Sequence, residues 1–135
     1  MNAVCHPPLL EGNDIRLLAD IGFIAAGRGD VVTADCIFKG LHAAGTTGVA
    51  HIIGPAVARL NAGIVFEALA LLRVAGTSDD ESIVAWRAIA LQVAGMPHEA
   101  RRLARTIASG QSAGARLARG LCAQRLAGAN GRTQA

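Results

Sequence analysis

The sequence LLADIGFIAAGRGDVVTADCIF occupies residues 17–38 and contains the pattern that decides the fold. Apolar residues recur every three or four positions on both sides of Gly29, which is the spacing of amphipathic helices. Glycine tolerates the unusual backbone of a tight turn, so Gly29 separates the two helices. Gly22 and Ala34 lie near the middle of each helix, where small side chains allow two helices to cross closely. The stretch therefore predicts a helical hairpin.

The hairpin pattern recurs twice further along the chain. Turn glycines stand at Gly29, Gly63 and Gly95, with spacings of 34 and 32 residues. An alanine follows each glycine by five positions, at Ala34, Ala68 and Ala100, and a small residue precedes each by seven, at Gly22, Ala56 and Ala88. A period near 34 with small residues in both helices is typical of the tetratricopeptide repeat. The consensus aromatic residues are missing, and an ordinary helical bundle with incidental periodicity is the alternative.

Seven helices are predicted in all. Asn13 and Asp14 are expected to cap the first helix, from Ile15 to about Ala26. Ser78 and Glu81 form a capping-box pattern before the fifth helix, and Pro97 suits the first position of the sixth. The other predicted helices cover residues 30–43, 49–61 and 64–75, a fifth ending at 94, a sixth over 97–109 and a seventh over 112–126.

No segment alternates with a period of two, so the predicted fold is all-α. It consists of three degenerate tetratricopeptide-like helical hairpins and a C-terminal capping helix. Residues 14–126 form the predicted helical domain, while residues 1–13 and 127–135 are predicted to be flexible segments. About three such hairpins are needed for stability, because one hairpin alone cannot cover its own apolar face.

Composition argues against several classes of protein. Apolar residues make up 52% of the chain and charged residues 17%, which is unlike a disordered segment. Three scattered cysteines without a CxxC motif predict neither a disulfide framework nor a metal site. The uncharged run between Lys39 and Arg59 is interrupted by glycines and Pro55, so no membrane span is expected. With no secretory signal visible, the expected location is the cytoplasm.

The first helix of each hairpin lines the inner groove in a tetratricopeptide architecture. The repeat register assigns seven mostly large apolar residues to this partner-binding groove: Phe23, Ala26, Ile53, Val57, Leu60, Ala85 and Ile89. Such a surface favours the apolar stripe of an amphipathic helix, bound in the helix-in-groove mode. The alternative is that Phe23, Ile53, Val57 and Ile89 are ordinary core residues.

Residues 17–29, followed by Ala34-Asp35-Cys36-Ile37-Phe38, resemble the small tetratricopeptide-like chaperones of bacterial type III secretion systems, the YscG-type needle-subunit chaperones. The resemblance implies a cytoplasmic protein of a virulence-associated system that keeps a needle subunit monomeric before export. It also implies that the groove holds the needle subunit's amphipathic C-terminal helix. A small helical co-chaperone would pack against the N-terminal hairpin, near Ile15, Leu18, Val31 and Phe38. Neither a cofactor nor a metal is expected.

Three alternative functions differ in how well the sequence supports them. An enzyme is not expected, because His42 and His51 stand nine residues apart across a predicted helix break with no carboxylate to orient them. Nucleic-acid binding is less favoured, although residues 100–135 contain seven arginines and no acid, because aromatic side chains for base stacking are scarce. A peptide-binding adaptor, or a chaperone for a different secreted protein, remains open.

Overall fold

The computed structural model describes residues 10–74 and 79–130. Within these residues there are seven α-helices and no strand, which confirms the predicted all-α class. The helices are α1 (Gly12–Gly27), α2 (Val31–Ala43), α3 (Ala50–Asn61), α4 (Val65–Val74), α5 (Glu81–Val93), α6 (Pro97–Arg105) and α7 (Ala113–Asn130).

The starts of α1 and α5 differ from the sequence prediction. Helix α1 begins before Asn13 and Asp14, and Asp14 instead accepts a hydrogen bond from the backbone N–H of Glu11 at 3.1 Å. Helix α5 is capped by Asp80, whose carboxylate accepts from the backbone N–H groups of Ser82 at 2.9 Å and Ile83 at 3.2 Å. Asp80 is the residue directly before the helix, so its short side chain reaches these donors and the predicted capping box is not needed. Ser78 lies outside the described residues.

The last two helices also have different limits. Helix α6 starts at Pro97 as predicted but ends at Arg105, because the N–H groups of Thr106 and Ile107 bond to carbonyls only three residues back. Bonds of this kind tighten the chain into a turn. Helix α7 continues to Asn130, four residues beyond its predicted end and into the stretch predicted to be flexible. Residues 1–9 and 131–135, also predicted to be flexible, lie outside the described residues.

The contacts between helices have the pattern expected of three hairpins followed by α7. The hairpins are α1–α2, α3–α4 and α5–α6, and the second helix of each also packs against the first helix of the next unit. First helices contact one another, most sparsely between α3 and α5, whereas no contact joins α2 to α4 or α4 to α6 in the described part of the chain. Each unit thus contacts only its neighbours, as stacked hairpins do.

The turn glycines and the small residues have the predicted roles. Gly29, Gly63 and Gly95 adopt φ values of 72°, 80° and 81°, which residues with a Cβ rarely adopt. Ala34, Ala68 and Ala100 are completely buried. The buried side chains form an alanine-rich core of three clusters. The first lies among α1, α2 and α3, the second among α3, α4, α5 and α6, and the third among α5, α6 and α7. Val57 joins the first cluster to the second, and Leu103 joins the second to the third.

Candidate functional site: the apolar face of the first helices

The residues predicted for the partner-binding groove lie on α1, α3 and α5, and they divide into two groups by exposure. Phe23 is 40% exposed, and its ring packs edge-on against Phe38 with centroids 4.9 Å apart. Val57, Leu60 and Ile89 are half-buried. These four side chains present apolar surface to solvent, and we refer to them as the first-helix face.

The other three predicted groove residues belong to the core. Ala26 and Ala85 are completely buried, and Ile53 is nearly so. Ala85 shares a cluster with Ala118, because α7 packs over this part of α5. Ile53 packs in the central cluster among residues of α3, α4 and α5. A docking helix would not reach these side chains. Ile53 agrees with the core alternative, whereas the burial of Ala26 and Ala85 departs from the groove prediction.

The first-helix face continues into a groove between α5 and α7 of about 420 Å³. Its lining, which we call the α5–α7 groove, consists of Ile89, Gln92, Val93, Arg116, Leu117, Gly120, Leu121 and Gln124. Val93 and Leu117 are 56% and 43% exposed, so both present apolar surface in this groove. The contribution of α7 to this groove was not predicted from the sequence, where the helix was expected only to cap the last hairpin.

The residues predicted to meet a co-chaperone are also partly internal. Phe38 is a core residue, and Ile15, Leu18 and Val31 are half-buried against the cluster that contains it. Only the exposed parts of these three side chains are available to a partner. Phe38 is therefore not part of the contact face for a co-chaperone.

The exposed apolar surface of the N-terminal hairpin lies instead on another face of α1. Leu17, Ile21 and Ile24 are 59%, 42% and 57% exposed, and we call these three residues the α1 flank. In α3 and α5 the residues at the register position of Ile24, Ala58 and Ala90, are completely buried with side chains of the preceding helix. No helix precedes α1 in the described part of the chain. A signal was present in the sequence, because α1 is apolar on two faces and such helices are normally covered on both.

An ion-pair network joins α2, α3 and α4 on a different side of the molecule. The Arg59 guanidinium donates to both carboxylate oxygens of Asp35 at 2.8 Å and to Glu67 at 3.3 Å. These hydrogen bonds lower the pKa of the Asp35 carboxyl and raise that of Arg59. Paired geometry of this kind fixes the relative positions of the three helices. Asp35 and Arg59 are 24 residues apart, and no local sequence signal connects them.

The two histidines considered separately in the sequence come together in the structure. The rings of His42, near the end of α2, and His51, near the start of α3, stack with centroids 4.0 Å apart and an angle of 15° between their planes. Neither ring bonds to a carboxylate within the described residues, and no group of three or more metal-binding side chains was found there. The stacked rings bring the end of α2 next to the start of α3.

The arginines near the C-terminal end have separate environments. The Arg119 guanidinium donates to the carbonyls of Ala108 at 2.9 Å and Gly110 at 2.7 Å, and so holds the α6–α7 turn. Arg101 lies 3.3 Å from the His98 ring on its own helix, and Arg105 is exposed on α6. Arg116 alone among the described arginines lines the α5–α7 groove.

None of the helices in the two described ranges combines the length and the apolar character needed to cross a bilayer. The chain was compared with protein-family models, with curated proteins and with solved structures, and none of them matched it.

Proposed function

We propose that this chain is a chaperone that binds an amphipathic helix of another polypeptide along the first-helix face and the α5–α7 groove. Its substrate is the needle subunit of a type III secretion apparatus, held monomeric in the cytoplasm until export. The observation that supports this proposal is that equivalent positions on the first helices carry incompletely buried apolar side chains. Phe23, Val57 and Ile89 lie on α1, α3 and α5, and Leu117 follows on α7.

The size of this surface is sufficient for useful affinity. Complete burial of a large apolar side chain contributes about 1.5–3 kcal/mol, and side chains that are already half-buried contribute correspondingly less. Several such anchors must also offset the loss of rotational and translational freedom on association. A surface with seven partly exposed apolar residues can meet this cost, whereas a single exposed leucine cannot.

The α1 flank supports the second part of the proposal, a small helical co-chaperone. Leu17, Ile21 and Ile24 recur at intervals of four and three residues, so they form one stripe along α1. At the position that matches Ile24, α3 and α5 are covered by a preceding helix. A helix of the co-chaperone would cover the α1 flank in the same way and keep this stripe out of water.

The test is co-expression with the needle subunit, followed by purification through a tag on the chain. Val93→Glu places a carboxylate in the α5–α7 groove and should reduce the recovery of the needle subunit strongly. Val32→Glu is the matched control, because Val32 is 81% exposed on α2 and lies outside the groove. Circular dichroism of both variants should show the helicity of the parent chain.

Val57→Glu should also abolish capture, but Val57 packs against two core clusters, so Val93→Glu separates binding from folding more cleanly. Equal capture of the needle subunit by the parent, Val93→Glu and Val32→Glu chains would contradict the proposed binding surface. Recovery of a different protein, lost in Val93→Glu alone, would show an adaptor or a chaperone for another secreted substrate.

A further inference from the structure

Helix α7 occupies the position of the first helix of a fourth hairpin, but no second helix follows it in the described part of the chain. The N-caps of α5 and α7, Asp80 and Ser112, are 32 residues apart, so Gly120 corresponds to Ala88. Ala88 is completely buried in a cluster that includes Ala104 of α6. Gly120 is exposed, and a Cβ at this position would meet no atom within 4 Å.

The same comparison holds in the other hairpins. Gly22 in α1 lies against Phe38 of α2, and Ala56 in α3 is completely buried in the cluster that includes Ala68 of α4. The small residue of each first helix is thus covered by its own second helix. Gly120 is the equivalent residue of α7, and in the described part of the chain no second helix lies against it. It forms part of the α5–α7 groove.

The chemistry of the groove indicates what kind of helix would fit. Its apolar residues are Ile89, Val93, Leu117 and Leu121, and its only charged residue is Arg116. Up to residue 124, α6 and α7 together contain five arginines and one acidic residue, Glu99, so these two helices carry a net positive charge. An acidic helix is therefore attracted to the groove and a basic helix is repelled from it.

We propose that the partner helix lies in the α5–α7 groove, with a small residue over Gly120 and acidic side chains toward Arg116. This inference rests on the proposed function and specifies the charge and shape of the helix that is recognised. The absence of a Cβ at Gly120 allows the two helices to approach closely, as small residues do at helix crossings. The apolar stripe of the partner would then cover Val93 and Leu117.

The first test compares two fluorescein-labelled synthetic helices by fluorescence anisotropy with the full chain. The peptides share one Leu/Ala stripe with a central Ala, and their flanks are glutamate in one and lysine in the other. The acidic peptide should bind at least about fivefold more tightly at low salt, and the difference should shrink as salt is added. Arg116→Glu should weaken binding of the acidic peptide by about fivefold or more, whereas Arg105→Glu on α6 should change it less than twofold.

The second test uses two exposed helix glycines that both have open space around them. Gly120→Trp places a bulky ring in the groove and should abolish binding of the acidic peptide. Gly40→Trp in α2, where a Cβ would also meet no atom within 4 Å, should leave the affinity unchanged. Both variants should keep the helicity of the parent chain.

The outcomes separate this inference from the proposed function. Equal binding of both peptides, unaffected by Arg116→Glu and Gly120→Trp, would overturn the inference, while sensitivity to Val93→Glu would preserve the binding role. Failure of both peptides to bind would contradict the binding role as well. A dimer in sedimentation velocity that is lost in Gly120→Trp would show a second copy of the chain in the groove, which also overturns the inference.

Discussion

The ring of Phe38 is held between two glycines on neighbouring helices. A Cβ at Gly22 of α1 would lie 3.0 Å from this ring, and a Cβ at Gly54 of α3 would overlap it. Where the second hairpin has the smaller Leu72 at the position of Phe38, its first helix has Ala56 instead of Gly22. At these two crossings a larger side chain on the second helix is therefore matched by a smaller residue on the first. This matching explains how the repeats keep their packing while their residues differ.

We expect Gly54→Ala to lower the free energy of unfolding by about 1–3 kcal/mol, because the Phe38 ring must move to admit the methyl group. Gly40→Ala is the control, since it adds the same group to α2 in open space and should stabilise the chain by about 0.5–1 kcal/mol. Urea unfolding measures both changes. Combining Gly54→Ala with Phe38→Leu should restore part of the loss. If Gly54→Ala and Gly40→Ala are equally stable, the close approach of Phe38 to α3 is wrong.

The Asp35–Arg59 pair predicts a pH dependence of stability. The folded chain lowers the pKa of Asp35 below its value in the unfolded chain, so the pair stabilises the fold above about pH 4. This contribution is lost as the pH falls through the folded pKa. At pH 7, Asp35→Asn should be less stable than the parent by about 1 kcal/mol or less, because the pair is partly solvated.

Urea midpoints of the parent and Asp35→Asn chains should converge as the pH is lowered from 5 toward 2. Asp20→Asn serves as the control, because Asp20 is exposed and forms no ion pair among the described residues, so its difference from the parent should stay small. A gap between parent and Asp35→Asn that is independent of pH would contradict the assigned role of Arg59.

Helix α7 is tied to α5 at the start of both helices. The Ser112 hydroxyl accepts a hydrogen bond from the backbone N–H of Ala115 at 3.0 Å and donates one to the Glu81 carboxylate. Gly114 lies so close to the backbone of Glu81 that a Cβ there would clash with its carbonyl oxygen. The first turn of α7 therefore sets the width of the α5–α7 groove.

Replacing Ser112 by alanine removes both the helix cap and the bond to α5. We expect Ser112→Ala to lower the free energy of unfolding by about 0.5–2 kcal/mol, measured by urea denaturation. Ser109→Ala changes an exposed serine that makes no side-chain hydrogen bond among the described residues, and it should have little effect. Equal midpoints for the two variants would show that Ser112 does not anchor α7.

The elements that the sequence predicts well are those with local signals. The turn glycines, Pro97 at the start of α6 and the buried Ala34, Ala68 and Ala100 each follow from residues close in sequence. The stacking of His42 on His51, the Asp35–Arg59 pair and the bond from Ser112 to Glu81 depend on how helices are placed side by side. The same limit applies to the groove prediction, because the burial of Ala85 depends on α7 packing over α5.

The molecule as a whole exposes apolar surface at its first helix as well as in the groove. If the α1 flank is a docking stripe, the isolated chain should self-associate as its concentration rises, and Leu17→Glu combined with Ile24→Lys should keep it monomeric. The control combines Val32→Glu with Phe66→Lys, two residues that are 81% and 73% exposed and lie on the separate helices α2 and α4. Sedimentation velocity distinguishes these cases. If the Leu17→Glu/Ile24→Lys chain associates as strongly as the parent, the α1 flank is not the surface through which the chains associate.

Every contact between helices in the described part of the chain joins helices that are at most two apart in order. Chains with such low contact order fold fast, since little loop entropy is lost before each contact forms. Domains generally fold as units, and a single hairpin cannot cover its own apolar face. We therefore expect the α1 flank and the α5–α7 groove to become available to partners together, once the whole helical domain has been synthesised.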